Sequence, residues 1–420
     1  MKKLEKLIGF ILIFAVLILS KFYFRDLTLF FRLLIGTGIG YSLARAYTGF
    51  AGSVNRAYRT GSTKLMRTML FMFFITAVIN AGLFLGAGAT NYNIWIKPIN
   101  MGLLAGGFLF GFGMSLSVCC ASGVLTDLPS GFPRAFVTLI FFGLGVFLGF
   151  PVQRTAGWVN NSWFTTAVGE KTMGGVFLPD LFKGDGLHGY LGAILFIAAI
   201  GAIISYFSYL YEKKQLKNNK YTGLDIEKKQ EEKESLDVSE FKLFSAETYK
   251  EFFVKPWTLK QGAIALTILF ALLMGVTKAG WGASQPYGIW FGKALMFFGV
   301  SSEALANFTH MPAGLFELPF FEHQISVQNF GIISGAIIYL LTAGKFINAF
   351  KAGLNMKGKE ATIYALGGIT MGIGTRLANG CNVGALYTPI SNLSLSGWFF
   401  LIAMIVGGIV SNKFNDRIFG

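Results

Sequence analysis

The chain has 420 residues, of which 53% are hydrophobic and only 14% are charged, against roughly 25% charged in ordinary soluble domains. This composition excludes a soluble globular protein and predicts an all-α polytopic membrane protein. The net charge of +15 comes from basic residues spread over short loops between apolar runs. Because that is the positive-inside pattern, we expect a lipid bilayer and no nucleic acid as partner.

About ten apolar runs are long enough to cross, or nearly cross, a hydrocarbon core of about 30 Å. The first follows Lys2, Lys3 and Lys6 and has no small-residue cleavage site after it, so we predict an anchor rather than a signal peptide. The runs lie near residues 5–21, 27–48, 67–89, 100–120, 135–152, 188–211, 260–278, 329–350, 361–378 and 396–411.

A charged, hydrophilic linker divides the chain into two membrane halves. The predicted parts are a first half at 1–210, the linker at 211–259 and a second half at 260–420. One short loop is strongly basic, which places it, the N-terminus and the linker in the cytoplasm. Its basic residues are Arg56, Arg59, Lys64 and Arg67. Apolar segments at 288–300 and 304–320 are too short to span, so we predict re-entrant helices there.

Each half carries a glycine-rich stretch with a cysteine near its end, GGFLFGFGMSLSVCCASGVLT at 106–126 and GGITMGIGTRLANGCNVGALY at 367–387. Aligned without a gap, they share eight identities in 21 columns, and Cys120 falls on Cys381. Such self-similarity indicates an internal duplication. With six crossings before the linker the halves are inverted repeats, which commonly hold their substrate site at the interface near the midplane.

Cys120 and Cys381 are the first candidates for substrate binding. A lone buried cysteine often only fills space, but two of three cysteines on one repeated position favour a function. A thiol offers a weak, polarizable donor, which suits a soft sulfur-bearing anion. Cys119 has Gly380 in its repeat column. Since neighbours on a helix point about 100° apart, Cys119 can share a pore with Cys120 only if the helix is broken there.

Arg376 lies inside an apolar run, which makes it a candidate site residue. Snorkelling to the membrane surface is the equal alternative. Asn379 and Asn382 flank the second repeated cysteine and could donate to a substrate oxygen or cap a helix break. Most glycines are expected to pack helices. Near Gly113 and Gly374, however, we predict helix N-termini whose positive ends attract an anion.

The sequence contains no motif for a metal site, a cofactor site or an enzyme active site. The three histidines lack metal-ligand spacing, and Walker and haem signatures are missing, so we predict no metal, no cofactor and no enzyme activity. Residues 48–62 and 278–290 share a Gly-aromatic-x-x-Ser pattern, which a second repeat and chance explain equally well.

At GFGMSLSVCCASGVL and GIGTRLANGCNVGALY the sequence resembles the YeeE/YedE family of bacterial inner-membrane proteins, also called the sulphur-transport or thiosulfate-transporter family. The resemblance implies an hourglass of transmembrane and short re-entrant helices. It also implies a narrow neck whose cysteines pass thiosulfate inward by S–H hydrogen bonds, and these carry over to Cys120 and Cys381.

One departure from the family affects the substrate. The family pattern includes a further cysteine in an early motif, and GFAGSVNRAYRTGS has none. We predict an inner-membrane transporter or channel that takes up a small sulfur anion, thiosulfate first. Because of this departure, and because the chain resembles the longer, selenium-associated type, a selenium compound is the alternative substrate. The alternative from another class is a membrane thiol protein that passes a persulfide from Cys119 or Cys120 to a cytosolic sulfur carrier.

Overall fold

The computed structural model describes residues 2–24, 26–232 and 245–419, and its regular structure there is helical. Apolar composition and many caps explain the helices: Asn100, for example, accepts the backbone N–H of Leu103 and starts a 17-residue helix. The first-half helices are α1 (Lys2–Tyr23), α2 (Leu27–Ala46), α3 (Gly52–Thr60), α4 (Lys64–Ala87), α5 (Met101–Ser117), α6 (Gly123–Asp127), α7 (Phe132–Thr155) and α8 (Tyr190–Lys217).

The linker forms one helix, α9 (Asp225–Glu231), before residues 233–244, which lie outside the described part. After them it forms a short helical turn at Ala246–Tyr249 and a π-helical turn at Lys250–Val254. Among the later helices, α11 and α12 are short, where the sequence predicts re-entrant segments. The later helices are α10 (Leu259–Thr277), α11 (Gln285–Phe297), α12 (Ser302–Thr309), α13 (Gln324–Thr342), α14 (Phe346–Gly353), α15 (Gly358–Leu377) and α16 (Ser396–Phe419).

Eight helices in the described ranges are long and apolar enough to cross a membrane: α1, α2, α4, α7, α8, α10, α13 and α16. The chain is thus an all-α polytopic membrane protein. The two remaining apolar runs of the predicted ten form α5, which is shorter, and α15. These are the two helices that carry the glycine motifs and end beside the repeated cysteines.

The two motif helices pack against each other in opposite directions. A Cβ on Gly106 would lie 2.7 Å from the carbonyl oxygen of Gly374, and a Cβ on Gly367 would lie 2.8 Å from that of Gly113. The duplication pairs Gly106 with Gly367 and Gly113 with Gly374, so the first contact becomes the second when the halves are exchanged. Only glycine lets backbones approach this closely, which explains why these columns are identical.

The helices that follow the motifs show the same exchange. The Gly111 backbone of α5 contacts Met404 of α16, whereas its counterpart Gly372 on α15 contacts Phe142 of α7. Each motif helix therefore packs on the helix that follows the other motif. Such reciprocal packing is what inverted repeats produce, while the boundaries at 1–210, 211–259 and 260–420 stay a prediction.

Candidate functional site

Both motifs stop their helix at the same column. Val118 and Asn379 are equivalent in the duplication, and both adopt left-handed backbone, with φ of 56° and 55°. This conformation is uncommon for residues other than glycine and cannot continue a helix. The chain therefore leaves α5 and α15 just before the repeated cysteines, which lie in irregular segments, Cys120 before α6 and Cys381 before a π-helical turn at Asn382–Tyr387.

The predicted helix N-termini near Gly113 and Gly374 are wrong. Both glycines lie inside helices that run on to Ser117 and Leu377, so the C-terminal helix ends approach the cysteines. The glycine spacing reflects the close contact between α5 and α15 rather than a break. Neither Gly113 nor Gly374 lines a cavity beside the cysteines.

A cavity of about 490 Å³ opens on the side of the linker, and we call it the linker-side cavity. Arginines from α3 and α7 surround it, and the vicinal cysteines form part of its wall. Its polar and sulfur-bearing lining includes Arg56, Arg59, Cys119, Cys120, Ser122, Asp127 and Arg134. Irregular backbone at membrane depth is tolerated where it lines such a cavity.

A second cavity of about 500 Å³, the far-side cavity, lies at the other end of the site. Arg134 and Gln153 line the linker-side and far-side cavities respectively, although both belong to α7. At 1.5 Å per helical residue they are roughly 28 Å apart, close to the thickness of a hydrocarbon core. The polar and aromatic lining of the far-side cavity includes Trp95, Lys97, Gln153, Arg154, Ser284, Arg376 and Asn379.

One repeated cysteine lines a cavity, and the other lies just behind a cavity wall. Cys120 is 1% exposed and lines the linker-side cavity, whereas Cys381 is fully buried between Gly380 and Gly384, which line the far-side cavity. The two cysteines are near enough to interact electrostatically. The linker-side cavity thus reaches Cys120 directly, whereas the far-side cavity reaches the glycines around Cys381.

Local contacts hold Cys120 in place. Its sulfur accepts the backbone N–H of Gly123 at 3.4 Å and lies 3.5 Å from the Ser122 hydroxyl. The buried hydroxyl of Tyr287, on α11, donates to the carbonyl of Ala121 and so ties the irregular segment to the second half. Cys119 is also buried and lines the same linker-side cavity. The helix break therefore does let the vicinal pair share one cavity.

The second-half polar candidates lie in different surroundings. Arg376 is 4% exposed and donates to Ser284 at 2.8 Å, so it does not snorkel. Asn379 lines the far-side cavity and accepts from Gln153 at 2.6 Å. Asn382 lines neither cavity; its amide nitrogen contacts the Met114 sulfur, and its buried carbonyl oxygen has no hydrogen-bond partner.

Three residues of the site, Lys97, Ser284 and Tyr287, are not predicted from the sequence. Lys97 is 3% exposed, and its amine donates to the backbone carbonyl of Asn379. Its sequence signal is a lysine that directly follows the apolar residues Trp95 and Ile96, three residues before Asn100, the cap of α5. Ser284 is the serine of the weaker Gly-aromatic-x-x-Ser pattern, whereas Tyr287 lies in the same 278–290 stretch but outside the pattern, with no signal of its own.

That weaker pair shares structure as well as pattern. Tyr47 and Lys278 each lie two residues before the first glycine of the pattern, and both adopt left-handed backbone. Phe50 and Trp281 occupy the aromatic column, and their rings contact each other edge to face with centroids 6.4 Å apart. One stretch lines the linker-side cavity and the other the far-side cavity. These features favour a second repeated element over chance.

Comparison with known families decides the class. The family model described as Sulphur transport matches residues 45–410, which include both motifs and nearly all residues that line the two cavities. The chain belongs to the sulphur-transport family. Membership supports the predicted resemblance to the YeeE/YedE proteins and places the two cavities in a family of transporters.

Curated relatives agree with this assignment. The chain is 26% identical to the thiosulfate transporter TsuA of Spirochaeta thermophila over 314 residues, which cover 74% of this chain and 77% of that one. It is 31% identical to the probable transporter YedE of Escherichia coli (strain K12) over 166 residues. That match spans 38% of each chain, so the chain covers well under half of the YedE sequence.

Proposed function

We propose that this protein imports a small sulfur-containing anion, with thiosulfate as the first candidate. The anion enters the far-side cavity, passes Cys381 and Cys120, and leaves through the linker-side cavity. One arrangement carries the proposal: Cys120 lines the linker-side cavity, and Cys381 is buried between two glycines that line the far-side cavity. Membership of the sulphur-transport family and the likeness to TsuA support the substrate class.

The chemistry of a thiol fits such an anion. A protonated S–H is a weak donor with a polarizable sulfur, so it can hydrogen-bond to a soft terminal sulfur and release it again. A thiolate would repel an anion. Conduction needs binding that is strong enough for entry and weak enough for exit, and two thiols in succession provide it.

The remaining predicted residues take unequal parts in this proposal. Arg376 and Asn379 contact the anion in the far-side cavity, which both of them line. Asn382 supports the wall beside Cys381 through its contact with Met114. Cys119 lines the linker-side cavity, through which the anion leaves.

We place the linker side in the cytoplasm of a bacterial inner membrane. The short loop between α2 and α4 lies on this side, and its basic residues contact the linker: Arg56 pairs with Glu227 and Lys64 with Glu231. A basic face favours the cytoplasm under the positive-inside rule. The N-terminus and the 211–259 linker are then cytoplasmic, and transport through the neck is inward.

Uptake measurements test the proposal. In cells that lack their own thiosulfate uptake, the wild-type protein should accumulate ³⁵S-thiosulfate, and Cys120→Ala and Cys381→Ala should reduce uptake to background. Cys119→Ala is the matched control, because it removes a neighbouring buried thiol that has no repeat counterpart, and it should keep most of the uptake. Full uptake in both repeated-cysteine variants, at equal protein levels, would exclude the thiol path.

The vicinal position of Cys119 and Cys120 in one cavity favours a second candidate, a persulfide relay to a cytosolic sulfur carrier. This function requires a covalent sulfur adduct on one of the two thiols during turnover. Intact mass spectrometry after incubation with thiosulfate would detect it. A selenium-containing anion is the alternative substrate for the same path, and its competition with labelled thiosulfate ranks the two.

A further inference from the structure

Two cations lie buried side by side in the far-side cavity. Lys97 and Arg376 are 3% and 4% exposed, and they are near enough to repel each other. Both also lie within electrostatic range of Cys381. Two like charges out of water destabilise the fold unless an opposite charge accompanies them.

Neither cation has an acidic partner among the residues that the structure describes. Arg376 donates to three neutral oxygens, at 2.8 Å to Ser284, 3.3 Å to Gln153 and 3.3 Å to Thr375. Lys97 donates to the backbone carbonyl of Asn379. These partners satisfy donors, but none of them carries a negative charge that would compensate Lys97 and Arg376.

The space in front of these cations suits a small anion rather than a side chain. The cavity measures about 500 Å³, and Gly282, Gly380 and Gly384 form part of its lining. A Cβ on Gly384 would lie 3.4 Å from the Trp95 ring, and one on Gly282 would lie 2.5 Å from it. Side chains at these glycines would displace Trp95 or fill the cavity beside Cys381.

We propose that Lys97 and Arg376, with the Ser284 hydroxyl and the Gln153 amide, form a binding site for the oxygen-bearing end of a divalent anion. The inference rests on the proposed function and specifies its substrate class: a dianion with several hard oxygens and one soft terminal atom. Two charges match the two cations, whereas a monoanion leaves one of them uncompensated.

Orientation follows from donor type. Charge-assisted hydrogen bonds from the guanidinium and the amine are strongest to charged oxygens, whereas the thiol of Cys381 offers only a weak, polarizable donor. The anion therefore binds with its oxygens toward Lys97 and Arg376 and its terminal sulfur toward Cys381. In this pose the two cations select charge and the thiol selects the soft atom.

Binding to the purified, full-length protein in lipid nanodiscs tests the site without any variant. Thermal shift and calorimetry should show tightest binding for thiosulfate, at least tenfold weaker binding for sulfate, which is a dianion without the soft atom, and weaker binding still for thiocyanate, a soft monoanion. Thiocyanate binding as tight as thiosulfate would overturn the divalent assignment.

Three variants then locate the site. Lys97→Met and Arg376→Met should each weaken sulfate and thiosulfate binding at least tenfold. Arg154→Gln is the matched control, because it removes a positive charge from the same cavity at an exposed position, where screening limits its effect to under threefold. Wild-type affinity in both Met variants would overturn the proposal.

Failure of this site and failure of the transport path are distinguishable. Cys381→Ala should abolish uptake yet retain sulfate binding, since sulfate does not need the thiol. If uptake survives in Cys381→Ala while Lys97→Met still loses sulfate binding, the anion site stands and the thiol path falls.

Discussion

The carboxylate of Glu227 accepts a hydrogen bond from Arg56 at 2.9 Å and another from Ser62 at 2.7 Å, and only 2% of Glu227 is exposed. Glu227 belongs to linker helix α9, whereas Arg56 lines the linker-side cavity. Leu224, the residue just before α9, also lines that cavity. The early linker is therefore docked against the membrane part at the cavity mouth, which its charged composition alone does not indicate.

Glu227→Gln should release this segment. Removing one partner of a buried ion pair leaves the other charge uncompensated, which costs about 3 kcal/mol. We expect hydrogen exchange across residues 218–232 to accelerate by at least tenfold. Glu231→Gln, which removes the half-exposed pair with Lys64, is the control, and it should change exchange by less than fivefold. Equal acceleration in the two variants would show that the buried pair does not hold the segment.

Gly106→Ala should destabilise the protein, because its Cβ would lie 2.5 Å from the Ala378 nitrogen and 2.7 Å from the Gly374 oxygen. Overpacking of this kind costs typically 1–3 kcal/mol. Gly275→Ala in α10 is the matched control, since its Cβ would meet nothing within 4 Å. Unfolding midpoints in detergent should fall by several degrees for Gly106→Ala alone. A midpoint unchanged from wild type would contradict the close helix contact.

Thiosulfate binding should depend on the charge of Lys97, which lies in the loop between α4 and α5. Burial, together with the nearby Arg376 cation, lowers the pKa of Lys97 to about 7. The free lysine value is about 10.4. Between these values the unfolded chain binds more protons than the folded one, so the anion-free protein gains stability as the pH rises above 7.

A bound dianion favours the charged amine, so thiosulfate affinity should fall as the pH rises through 7. The thermal shift caused by thiosulfate should thus be larger at pH 6 than at pH 8.5. The arginine in Lys97→Arg stays charged at both pH 6 and pH 8.5, so thiosulfate should cause the same thermal shift in this variant at the two pH values. A wild-type shift that is constant across this range would show that Lys97 does not titrate in contact with the anion.

Side-specific thiol labelling should separate the cysteines. Cys119 and Cys120 line a cavity that opens on the linker side, whereas Cys381 lines neither cavity. A membrane-impermeant methanethiosulfonate should label the vicinal pair in inside-out vesicles and leave right-side-out vesicles unlabelled. The double variant Cys119→Ala with Cys120→Ala should lose the label. Labelling only from the outside would reverse the proposed orientation.

The sequence predicts the features that depend on repetition and composition. The paired motifs locate Cys120 and Cys381, and the apolar runs locate the helices. Both features can be recognised in short contiguous stretches of sequence, without knowledge of the tertiary contacts. It mispredicts the helix ends at Gly113 and Gly374, since a glycine that breaks a helix and one that packs it look alike in sequence. It misses Lys97, whose burial depends on Asn379, 282 residues away.

The ring contact between Phe50 and Trp281 joins two equivalent positions, so the axis that relates the two halves passes between these rings. A residue on such an axis touches its own counterpart, and a substitution there alters both halves at once. At positions away from this axis, a single substitution alters one half and leaves its twin as an internal reference.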